Sequence, residues 1–146
     1  MPYEGCGWIW ANQDLPEVTS AFREALTAAD LRFDPEQTYA YAFGENCLRP
    51  DGTVDHFAAL QTDFVVTNTP PDPTDMSALG DYAGTVLQII LNDFRPGSVP
   101  GPQPGNVTFA FMGGREANRQ QVLLTDAEAA LQQGLVGVDL YQALFR

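Results

Sequence analysis

The chain has 146 residues, 45% of them hydrophobic and 11% aromatic, with 19 acidic against 7 basic residues and a formal net charge of -12. That length suits a single domain, residues 1–146, able to remove roughly two-thirds of its unfolded surface from water, and the apolar content is too high for a disordered chain. Every basic residue is Arg, which excludes chemistry that needs a lysine amine, and so negative a surface forfeits the phosphate attraction on which nucleic-acid binding depends.

In chain order, the opening "MPYEGCGWIWANQD" carries neither a basic segment nor an apolar run of signal-peptide type as it stands. It reads as an arm, residues 1–14, tied to whatever follows. A helix is expected from Leu15, with Asp14 as cap, Pro16 in the first turn, and Val18, Phe22, Ala25, Leu26 and Ala29 at helical spacing, ending near Asp30. "TYAYAFGEN" then alternates Tyr39, Tyr41 and Phe43 with Ala40, Ala42 and Gly44, the period of two that marks a strand. "RPDGT" is a turn, and the run 59–69 is a second strand, with Leu60, Phe64 and Val66 on one face and Gln61 and Asp63 on the other. A short extra strand at 53–57 is the further expectation here.

"TPPDPTD" is a rigid link whose Thr74 or Asp75 caps a second helix with the stripe Leu79, Ala83, Val86, Leu87, Ile90 and Phe94. "RPGSVPGPQPG" reads as a stiff, exposed connection. "NVTFAFM" is a strand with Val107, Phe109 and Phe111 on one face, and 119–124 returns beside it. Thr125 and Glu128 match a capping box for a third helix that Gly134 stops, and a last helix covers 139–145. The order α-β-β-α-β-β-α-α with hairpin links implies an α+β fold: a two-layer sandwich with an antiparallel sheet of four or five strands and helices mainly on one face. No stretch approaches the roughly 18 apolar residues of a membrane span, so a soluble chain without a transmembrane segment is expected.

The residues able to carry chemistry are few. Cys6 and Cys47 are the two cysteines and His56 the one histidine. A turn centred on 50–52 puts Cys47 across from Val54 to His56, a geometry open to a thiol–imidazole hydrolase, although no local signature of such an enzyme accompanies it. The preferred reading is a Cys6–Cys47 disulfide that staples the arm to a strand end, which implies an extracytoplasmic address and a leader removed from the chain; two free thiols in a reducing cytoplasm are the alternative. Asp51 with Asp55, and Asp72 with Asp75, are candidate calcium ligands in acidic turns that match no EF-hand. No cofactor is implied.

The aromatics Tyr39, Tyr41, Phe43, Phe109 and Phe111 ordinarily face the helices, with small residues outward; on an open sheet face they supply a binding groove or a dimer interface instead. The leading expectation is therefore a non-enzymatic binding or interaction domain of an exported or surface-attached protein, with a protein or peptide as partner. The element order and acidity resemble those of the small type III secretion chaperones, a resemblance that implies an intracellular acidic dimer binding an extended partner segment across a strand face.

Overall fold

The structure is a computed structural model that describes residues 5–145. It is α+β, with β1 (Gly7–Asp14), α1 (Pro16–Ala28), a 3-10 turn (Pro35–Gln37), β2 (Tyr39–Leu48), β3 (Val54–Asn68), α2 (Met76–Asp93), β4 (Asn106–Gly113), β5 (Glu116–Leu123), α3 (Leu124–Gln132) and α4 (Gly137–Leu144). The five strands form one sheet in the order β1-β2-β3-β4-β5.

The sheet departs from the sequence expectation in two ways. The sheet is mixed: β3 and β4 run parallel, and the other three pairs are antiparallel. Helix α2 is long enough to carry the chain back to the end of the sheet from which β3 started, as a parallel neighbour requires. The leading arm is itself strand β1, so Asp14 ends a strand rather than capping a helix. Its neighbour Leu15 occupies the cap position of α1 without a side-chain bond.

β1 stops at the pair Asp14–Tyr41 because Pro16 has no N–H to continue it. The next ladder position is taken over by α1. Ala40 donates its N–H to Thr19 Oγ1 at 2.9 Å, and its carbonyl accepts from that hydroxyl at 3.2 Å and from the Leu15 N–H at 3.4 Å. This close approach of α1 requires small side chains beneath it, and Ala40, Ala42 and Gly44 are all buried.

The core lies between the sheet and its helices. Phe22, Phe64 and Phe94 meet edge to face with ring centroids 4.9 to 5.8 Å apart, geometry that adds to the area they bury. Leu79, Ala83, Val86, Leu87 and Ile90 of α2 are fully buried, as the helical spacing implies, and Asp75 caps that helix through the Ala78 N–H. α3 starts straight from β5 with Leu123 at its cap position and no side-chain cap bond, so the expected capping box of Thr125 and Glu128 does not form. The connection 95–105 is not a free linker. Gln103 bridges to Gln61, Thr62 Oγ1 donates to the Pro100 carbonyl at 2.8 Å, and Gly101 and Gly105 approach the β3 backbone too closely to carry a side chain.

α2 and α4 also touch through backbone: a Cβ on Gly80 would overlap the carbonyl of Gly137. Helix propensity alone would make Gly80→Ala stabilising by about 1 kcal/mol. The overlap reverses the sign, and a net loss of about 2 kcal/mol is expected in urea unfolding. Gly7→Ala, whose Cβ would meet only ordinary contacts with Leu48 at 3.7 Å, should change stability little.

Candidate functional site

Residues directly paired across neighbouring strands share a face, so the register defines the sheet surface opposite Ala40 and Ala42. It places Trp8, Trp10, Asn12 and Asp14 of β1 beside Cys47, Glu45, Phe43 and Tyr41 of β2. On the other flank of β2, Cys47 faces His56, Phe43 faces Gln61 and Tyr41 faces Asp63. β3 carries an extra residue at Leu60, where the register shifts between Phe43 and Gly44, and this bulge keeps the polar residues of β3 beside the aromatics of β2.

The aromatic side of β2 therefore looks away from the helices, the reverse of the ordinary arrangement. Trp10 stacks on Phe43 at 5.3 Å with an interplanar angle of 12°, and Tyr39 lies 6.1 Å from Tyr41. Phe109 and Phe111 part company with them. They are buried in the core, 5.5 and 5.8 Å from Phe145. The five aromatics named from the sequence thus divide into three on the outer face and two in the core.

β1 is the most exposed element of this surface. It stands at one end of the strand order with β2 as its neighbour, and Trp8, Ile9 and Trp10 are 48%, 50% and 65% exposed. Trp8 and Trp10 are both of the chain's tryptophans.

The start of β1 is fixed covalently. Cys6 and Cys47 form a disulfide with their Cα atoms 4.8 Å apart, closing a sequence separation of 41. Cys47 is fully buried, and with its Sγ bonded to Cys6 it is not a thiolate nucleophile beside His56. The imidazole is held instead by Asp55, whose Oδ2 lies 2.6 Å from Nδ1, while Asp55 Oδ1 accepts from Arg49 at 2.9 Å. These bonds, His56 first, hold the Asp55 carboxyl below its ordinary pKa. Trp8 meets the His56 ring edge to face at 5.7 Å.

The remaining acidic candidates act in local structure. Asp51 accepts from both the N–H and the hydroxyl of Thr53, and Asp72 does the same with Thr74. These bonds lower both carboxyl pKa values. Asp75 is spent on the α2 cap. Such bonds are the usual work of acidic turn residues. Among the described residues, the group whose ligand atoms lie close enough to share an ion is Cys6, Cys47 and His56.

Asp63, on the polar face of β3, is nevertheless only 3% exposed. Its Oδ1 accepts from the Asn106 N–H at 2.9 Å and from Gln61 Nε2 at 2.7 Å. Burial outweighs these two bonds and raises its pKa. Burial first, and the nearby Asp63 charge second, raise that of Tyr41. The sequence held no signal for this pair, because it depends on the approach of Gly105 and Asn106 from the far end of the crossover. No helix among the described residues is long and apolar enough to cross a membrane. No family model, curated protein or solved structure matches the chain.

A raised folded pKa means that the folded state binds the Asp63 proton more tightly than the unfolded state, whose value is about 3.9. The resulting stability is fully present below that value and is lost as pH rises through the folded pKa. Asp63→Asn retains an oxygen acceptor but carries no charge. Thermal melts from about pH 3 to about pH 7 should show the stability difference moving steadily in favour of the Asn variant. Tyrosinate absorbance should place the Tyr41 pKa lower in the variant, though still above its ordinary value because burial remains. A pH-independent difference would contradict this account.

Proposed function

We propose that the chain is a non-enzymatic binding domain of an exported or surface-attached protein, and that it takes up an extended, basic peptide segment along β1. The carrying observation is an edge strand left exposed, with the apolar run Trp8, Ile9 and Trp10 in its first half. A sheet edge presents unpaired N–H and C=O groups, and folded proteins ordinarily blunt it with Lys, Pro or a bulge. "GWIWANQD" contains neither Lys nor Pro, and its pairing with β2 is unbroken. Such an edge is suited to strand addition, in which main-chain bonds supply affinity and alternate side chains meet flanking pockets.

The charge chooses the occupant. A second copy would bring a net charge of -12 against another -12, whereas a strand carrying Lys or Arg would meet Asp14 and Glu45 on the aromatic face. The Trp10–Phe43 stack offers a flat apolar surface, and Asn12 and Gln61 supply amides beside it. The Cys6–Cys47 bond supports an oxidising, extracytoplasmic compartment. It weighs against both the cytoplasmic chaperone-like reading and a Cys47–His56 hydrolase, since each needs a reducing compartment or a free thiol.

Because both tryptophans lie on β1, intrinsic fluorescence reports on this strand alone. An eight-residue peptide alternating Val and Lys, titrated into the oxidised protein, should change Trp emission saturably, and Trp10→Ala should weaken that binding. Methylation of alternate peptide amides should abolish it, and added salt should reduce it. Equal binding of a control peptide of the same length that alternates Val and Glu, or indifference to amide methylation, would refute strand addition by a basic segment. Dimerisation in light scattering that Ile9→Lys dissolves would assign the edge to a second copy instead.

A further inference from the structure

The Cys6–Cys47 pair and His56 do more than staple an arm, and what they can do goes beyond the binding reading. We propose that opening of the disulfide unmasks a site for a soft divalent cation of the zinc type, with Cys6 Sγ, Cys47 Sγ and the His56 imidazole as its three protein ligands. The two sulfurs and a ring nitrogen of His56 all lie within 4.8 Å of one another. Tetrahedral coordination by two thiolates and one imidazole requires sulfurs about 3.8 Å apart and sulfur–nitrogen distances of about 3.5 Å. Side-chain rotations cover that difference.

The placement is built into the sheet. Cys47 on β2 is paired directly with His56 on β3 and with Trp8 on β1, and Cys6 immediately precedes the paired residue Gly7. Two of the three ligands thus sit on neighbouring strands whose register does not depend on the disulfide. The imidazole also has the carboxylate partner common to metal-binding histidines: Asp55 Oδ2 at 2.6 Å from Nδ1 holds that nitrogen as the N–H and leaves Nε2 with its lone pair. Arg49 in turn fixes the other oxygen of Asp55 at 2.9 Å. Trp8, edge to face with the ring at 5.7 Å, forms an apolar wall. Thiolate and imidazole together select zinc-like cations over magnesium or calcium, which prefer oxygen. The fourth position is left to water.

The redox step balances with a dithiol reductant. It gives two electrons and two protons to the Cys6–Cys47 bond and becomes a disulfide itself, leaving two thiols on the chain. The cation then displaces those two protons. One pair of cysteines therefore has two fastenings for β1, a sulfur–sulfur bond under oxidising conditions and a metal bridge under reducing ones.

The test uses the full chain, reduced with a phosphine, desalted without oxygen and titrated with cobalt(II). Thiolate-to-cobalt charge-transfer absorption should appear and saturate at one equivalent per chain, together with the intense visible bands of four-coordinate cobalt. Zinc should displace the cobalt, and the oxidised protein should show neither band. Asp55→Asn should weaken binding about tenfold through the lost orienting bond, His56→Ala should weaken it further, and Cys6→Ser should remove about half of the charge-transfer intensity. Far-UV circular dichroism of the reduced, metal-free protein should retain the sheet signal. Absence of the bands in reduced protein, bands unaffected by His56→Ala, or binding that occurs only because the reduced chain has unfolded would each overturn the proposal.

Discussion

β1 is held to the rest of the molecule by backbone bonds, one pair of sulfur atoms and the half-exposed contacts of Trp8 with His56 and Trp10 with Phe43. Its side chains are covered only in part: none of residues 7–14 is buried, and Trp8, Ile9 and Trp10 stay 48%, 50% and 65% exposed. The hydrophobic effect that fixes β3, β4 and α2 is therefore weaker here. Beside it stands the antiparallel ladder to β2, closed at one end by Cys6–Cys47 and at the other by the bonds that Leu15 and Thr19 make to Ala40. Closing a separation of 41 residues removes unfolded-state freedom worth about 4 kcal/mol in the chain-entropy treatment. That is a large share of the stability of a small domain.

The proposed binding surface follows from the same arrangement. Because α1 reaches the sheet through Thr19 and Ala40, β2 must turn its small side chains toward the helix. The alternation of the strand then leaves Tyr39, Tyr41 and Phe43 on the outside. β1 adds Trp8 and Trp10 to that face, and β3 adds Gln61 and the buried Asp63. An acidic sheet face with an aromatic strip and an apolar open edge matches the extended, positively charged strand that we propose as its partner. Pinning the edge by a crosslink lowers the ordering cost of binding.

Much of the helical core was legible in the sequence. The stripe from Leu79 to Phe94 is buried as its spacing implies, and Val107, Phe109 and Phe111 share an inward face. The pairing of Cys47 with His56 follows from the turn at 50–52, and the link to Cys6 follows from there being two cysteines, one in the arm and one at a strand end. Four things were not legible in the sequence. "GWIWANQD" has mixed rather than alternating polarity, so nothing in it marked an edge strand with both faces in water. The parallel β3–β4 pair was hidden by hairpin signals around it. The orientation of β2 depended on which of its faces a helix could approach, and size alternation favoured the large residues until the demand of α1 for small ones is considered. Asp63 became buried only when the crossover residues Gly105 and Asn106 closed over it.

Hydrogen exchange resolved along the strands, on the oxidised protein and on the same protein reduced and alkylated, tests the role of the crosslink most directly. Reduction should strip protection selectively from the β1 amides, Gly7 to Asp14, while β3 and β4 exchange on their former timescale, because local opening of β1 exposes almost no core. Unchanged protection of β1 after reduction, or an equal loss of protection in β1 and β4, would show that this strand is held by something other than the bond between Cys6 and Cys47.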